Sequence, residues 1–191
     1  MAKRVLLSGL AGAVVLFAWT FAVNVGFGFT SRLEMQRVPN EQVVYALLKE
    51  HISRPGAYMV NPPLSLRGEF PPGEPVFSIR HSGVGHEAAG CLLLIELAVA
   101  LLASLLVAGL LSVASPRILS RYPYRVMYVA MLGLLLAVFG DLPKFGIGGY
   151  PAKTALLLAG NHAMSWALTG AAMGWTMRTY GVAPRAAASS Q

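Results

Sequence analysis

Cysteine and acidic side chains are what this 191-residue chain has least of. It holds one cysteine, Cys91. A lone thiol excludes an internal disulfide and a cysteine-based structural zinc site, so any segment outside a membrane must be held by packing alone. Eight Asp and Glu stand against 15 Lys and Arg, and charged residues make up 12% of the chain. An ordinary soluble domain carries about 25%, so a water-facing shell all round is excluded. The net charge of +7 raises nucleic acid as a partner. The distribution argues against it: the basic residues stand at the ends of apolar runs, and none cluster among aromatics. Also lacking are a nucleophile–base pairing, a phosphate-binding loop, a haem-attachment Cys-x-x-Cys-His and paired loop carboxylates. No motif therefore points to an enzyme, and no cofactor is implied.

What is abundant is apolar sequence. Hydrophobic residues reach 55% and mean hydropathy is +0.59. Four long apolar stretches, residues 5–29, 88–113, 126–142 and 153–177, are each long enough to cross a bilayer, which takes about 17–25 residues. The expected fold is an all-α membrane protein of four transmembrane helices, with a partly helical, Pro/Gly-rich outer loop between the first and second. The chain then divides into a start and first helix (1–29), the outer loop (30–87), the second helix (88–113), a basic linker (114–125), the third helix (126–142), an outer turn (143–152), the fourth helix (153–177) and a tail (178–191). The first stretch exceeds the apolar core of a signal peptide, about 7–15 residues, and no small-x-small site closes it. It is expected to stay as an anchor.

Orientation follows from the flanks. Lys3, Arg4, Arg117, Arg121, Arg125, Arg178 and Arg185 share one side with no acid, whereas residues 30–87 balance six basic against six acidic side chains. By the positive-inside rule both termini face the cytoplasm, and a bacterial inner membrane is the simplest setting. Within the outer loop, Asn40 followed by Glu41, Val43, Val44, Leu47, Leu48 and Ile52 predicts an N-capped amphipathic helix. Prolines at 62, 63, 71, 72 and 75 predict extended chain beyond it, and the alternation over 76–80 predicts a short strand.

Few polar residues interrupt the apolar stretches. Glu96 lies about eight residues into the second, roughly 12 Å deep at 1.5 Å per residue. An ionisable group there is expensive and marks a candidate site; the plainer reading is a carboxyl that hydrogen-bonds a neighbouring helix. Asn161 and His162 sit mid-way along the fourth stretch, with Ser165 and Thr169 following at helical spacing, and Asn24 interrupts the first. Asn24, Glu96, Asn161 and His162 are thus a candidate intramembrane polar site, Glu96 and His162 being its titratable pair; against it, such residues more often tie helices together. Asp141 is unfavourable at a helix C-terminus and needs a partner. With Lys144, His81 and His86 it is a candidate loop anchor. His81, His86 and Glu87 could suggest a metal, but helical zinc pairs sit four apart, and the glycines between fix no geometry. None is expected. Small residues at Ser8/Gly12, Gly9/Ala13 and Gly170/Gly174 allow close helix approach, within the chain or between chains.

The layout resembles a family of bacterial four-helix inner-membrane proteins with no assigned activity. The matching features run through most of the chain. They are Trp19 in the first helix, Pro39-Asn40-Glu41, Pro55-Gly56-x-Tyr58, His81-x-Gly83, Glu96, Arg125, Asp141-x-Pro143, Gly149-Tyr150-Pro151 and Trp166. The resemblance implies topology and brings no substrate or cofactor. Two functions stay open: a non-catalytic accessory or structural subunit that docks other membrane subunits, or a further copy of itself, through its helix faces and outer loop; and a small oligomeric proton-coupled transporter or membrane enzyme using Glu96 and His162.

Overall fold

The computed structural model describes residues 2–85, 89–146 and 149–177. Arg178, Arg185, His86 and Glu87, on which expectations were placed, lie outside these. In chain order the elements are α1 (Ala2–Phe21), a π-helical turn (Ala22–Gly26), α2 (Phe29–Glu34), α3 (Glu41–His51), β1 (Gly56–Val60), β2 (Phe77–His81), α4 (Ala89–Ser112), α5 (Pro116–Ser120), α6 (Tyr122–Asp141), α7 (Pro143–Gly146) and α8 (Ala152–Thr176). Two compact units form. One comprises residues 37–92, the other the chain on either side.

The larger unit is a helical bundle. Three of its helical stretches, Ala2–Gly26, Gly90–Ser112 and Tyr122–Phe145, are long and apolar enough to cross a membrane. α8 has the length, 25 residues, but it is more polar. Its position explains this. α8 packs along both α6 and α1, and Leu158, Ser165, Trp166, Thr169 and Met173 are buried in those contacts. The polar Ser165 and Thr169 lie on the side covered by protein, so they need not meet an apolar surrounding.

Close approach is what these contacts require, because lipid tails are as apolar as leucine and give helices no hydrophobic reason to associate. A Cβ on Gly133 would lie 2.0 Å from the Trp166 Cβ, and one on Gly12 would lie 2.2 Å from the Met173 Cε. Gly170 faces Val129 and the Val126 carbonyl, and Gly9 faces Leu105 of α4. The small-residue pairs of α1 and α8 are therefore taken up inside the chain. Around them Val107, Ala108, Leu111, Val129, Trp166, Met173 and Met177 form the core.

Hydrogen bonds fasten one end of the bundle. The Ser8 hydroxyl donates to the Met173 carbonyl (3.2 Å) and the Tyr122 hydroxyl to that of Ala171 (3.2 Å). Arg125, expected in the linker 114–125, instead lies inside α6. Pro123 opens that helix a turn earlier than the apolar run suggests, since proline suits a first helical turn. The buried guanidinium donates from Nε to the Gly174 carbonyl (3.0 Å) and from Nη1 to the Leu119 carbonyl. It binds carbonyls near the C-terminal ends of α8 and α5, where the helix dipole favours a cation.

The first helix is not continuous over 5–29. At its end the chain widens into the π-helical turn, with Phe27 N–H donating to Ala22 C=O (3.1 Å), and Gly28 takes φ +59° before α2. Glycine reaches that left-handed conformation without a Cβ penalty.

In the smaller unit α3 begins where expected, but Asn40 does not cap it through its side chain. Its backbone is left-handed (φ 58°), with no side-chain cap bond, a conformation asparagine tolerates better than most residues. β2 pairs antiparallel with β1, Tyr58 opposite Ile79; β1 had no alternating signal of its own. The Arg54 carbonyl accepts from the Tyr58 hydroxyl (2.7 Å) and bonds His81 Nδ1 (2.8 Å), so His81 closes the open end of this hairpin.

Gly133→Val should lower bundle stability by about 1–3 kcal/mol, the cost of overpacking. Gly109→Ala, where a Cβ meets nothing within 4 Å, should leave it unchanged or raise it by up to about 1 kcal/mol. Unfolding titrations in mixed micelles would check both; equal loss in the two variants would refute the packing argument.

Candidate functional site

Polar side chains gather at the end of the bundle away from Arg125. α6 ends at Asp141, and α7 follows immediately and turns Lys144 back toward it. Asp141 is nearly inaccessible, its side chain 3% exposed. Its Oδ1 lies 3.1 Å from Lys144 Nζ, and its Oδ2 hydrogen-bonds Nδ1 of His162, which reaches across from α8. Lys144 Nζ also reaches Glu34 Oε1 of α2 at 3.3 Å. The four side chains make one chain of contacts, Glu34–Lys144–Asp141–His162, and tie four helices together. This is the partner that a carboxylate at a helix C-terminus requires, because the dipole there repels it.

His162 is half-exposed. The Asp141 carboxylate accepts from Nδ1–H, which leaves Nε2 as the ring nitrogen with no hydrogen bond among the described residues. Beside it lies a groove of about 270 Å³ lined by Leu136, Ala137, Gly140, Asp141, His162 and Trp166. The Asp141 contact fixes the imidazole at the edge of this groove. Among the described residues no group of three or more His, Cys, Asp or Glu could hold a metal.

The remaining sequence candidates go elsewhere. Asn24 Oδ1 accepts from the Thr30 hydroxyl at 2.6 Å, bridging the π-helical turn to α2. Asn161 Oδ1 accepts from the Trp19 indole N–H at 3.0 Å, joining α8 to α1. Ser165 and Thr169 turn inward to carbonyls of their own helix. Glu96 meets none of these. Its side chain is exposed, and among the described residues it has no hydrogen bond or ion pair. The pair of Glu96 with His162 is therefore not formed: Asp141 holds the imidazole, and α4 at Glu96 is uncovered. Depth is not the reason. Gly9 touches Leu105, and Ser8 bonds Met173, so counting nine residues along each helix sets Glu96 within about a turn of His162.

No protein-family model, curated protein or solved structure matches the chain. The site has to be read from its own geometry.

Two participants were not found from sequence. Glu34 sits among loop residues with no periodic signal. Trp19 carries no sign that it donates rather than packs. Asp141 did carry a signal, its position against the dipole.

Lys144→Met should cost about 1–3 kcal/mol, because Asp141 then stays buried with only the imidazole to balance it; the figure is discounted from that for a fully buried pair since Lys144 is one-third exposed. Glu34→Gln should cost less than about 1 kcal/mol, as an outlying pair does. Thermal denaturation in detergent ranks them, and the reverse order would remove Asp141 from the centre of the cluster.

Proposed function

We propose that this chain is a four-span integral membrane protein that works as a non-catalytic subunit, docking another membrane component. The observation that carries the reading is α4. From Leu93 to Val99 every residue is exposed, Glu96 included, whereas Ala100, Ser104, Val107, Ala108 and Leu111 below are buried in the bundle. Lipid covers leucines well. It does not satisfy a carboxyl, which at that depth costs at least about 2.5 kcal/mol unless it finds a partner.

The fourth span in this reading is α8. Its contacts along α6 and α1 carry it across with them despite its polar residues. The orientation rests on the Lys/Arg bias of the flanks, with both termini cytoplasmic and residues 30–87 on the opposite side. A bacterial inner membrane rests on that bias and on the resemblance described above. Docking through the small-residue faces of α1 and α8 is not favoured, since those faces already pack within the chain. A transporter or enzyme built on Glu96 and His162 is not favoured either, since His162 is paired with Asp141 and the two candidates do not meet.

The topology is testable with a membrane-impermeant maleimide in a Cys91→Ser background. Ser65→Cys should label from outside intact spheroplasts. Ser115→Cys and Ala187→Cys should label only after the membrane is opened. Labelling of position 187 from outside would leave three spans and overturn the four-span reading.

A further inference from the structure

The structure points to one kind of occupant for the exposed part of α4. We propose that Glu96 receives a transmembrane helix of a different membrane protein that carries a lysine or arginine at matching depth. This rests on the subunit reading above and names the chemistry of the partner.

The face is defined by the helix itself. At about 100° per residue, Glu96 falls roughly 40° from Ala100 and 20° from Val107, both buried. Glu96 thus continues the face by which α4 packs lower down, at a level where nothing of the bundle covers it. Leu93, Leu94, Ile95, Leu97 and Val99 beside it are all exposed and apolar. A helix laid there would meet a dry apolar surface with one carboxylate, and in such surroundings only a cation or a strong hydrogen-bond donor answers it.

Among the described residues, no basic side chain pairs with Glu96. Lys144 is engaged by Asp141 and Glu34. Arg125 is buried at the opposite end, against the Gly174 and Leu119 carbonyls. Lys153, in the first turn of α8, lies nine residues, roughly 13 Å, from the level of His162 and Glu96. A second copy inserts in the same orientation by the same charge rule, so at this depth it presents another Glu96, a His162 already held at Nδ1 by Asp141, and no lysine or arginine. Charge complementarity therefore selects a heterologous helix over a copy of this chain.

The test uses the full chain reconstituted in phosphatidylcholine vesicles and labelled with a fluorescent donor. The probe is a synthetic Leu/Ala transmembrane helix with one lysine six residues from its outer end, labelled with an acceptor; a second probe has leucine there. Energy transfer should show a preference for the lysine helix of roughly fivefold or more, the scale of polar contacts between model membrane helices. Glu96→Gln should abolish the preference, and Glu69→Gln, an acid in the smaller unit, should keep it. Equal association of the two helices would overturn the proposal. So would energy transfer between copies of the protein that depends on Glu96, which selects self-association, or a disulfide trapped in a Cys91→Ser, Glu96→Cys, His162→Cys variant, which selects closure within the chain. None of these would touch the four-span reading, which fails only by the labelling pattern given above.

Discussion

The fold depends on how closely backbones can approach α8. Water does not drive membrane helices together, so dispersion between surfaces in contact and a few hydrogen bonds must suffice. At Gly133 against Trp166, and at Gly12 against Met173, a single added carbon would collide with the neighbouring helix. α6 and α1 lie against α8 because those positions have no side chain. The hydrogen bonds from Ser8, Tyr122 and Arg125 to carbonyls of α8 are reachable only once that approach is made.

The same constraint explains the unequal treatment of the two acids within the apolar stretches. Asp141 ends a helix that packs tightly on α8, so His162 and Lys144 come within bonding distance and the carboxylate is buried and balanced. Glu96 lies on α4 above its last buried residue, Ala100, and no helix of the bundle reaches it. Two carboxylates of similar cost to a membrane thus have opposite circumstances. One is satisfied within the chain, and the other is exposed and has no hydrogen bond or ion pair among the described residues. The polar chemistry of the first is structural in its immediate effect, joining α2, α6, α7 and α8, while His162 still keeps one ring nitrogen at the edge of a groove.

Much of this was legible in the residues. The three helices of membrane-crossing length follow from apolar runs alone, and their observed limits differ from the runs by a few residues where Pro123 starts α6 early and where the π-helical turn interrupts the first stretch. The need of Asp141 for a partner could be read from the helix dipole. The identity of that partner could not, because His162 is 21 residues away and only the packing angle of α8 on α6 brings it near. For the same reason Glu96 and His162 looked like neighbours: depth along a helix is countable, whereas the gap between helices is not.

What the sequence by itself determined is each segment's relation to its solvent, since length and apolarity decide whether a helix can lie in lipid, and the spacing of small residues decides which faces can approach. Only the tertiary structure decided which polar groups meet. That depends on distances across helix interfaces, set by collisions such as Trp166 on Gly133 that no one-dimensional pattern contains.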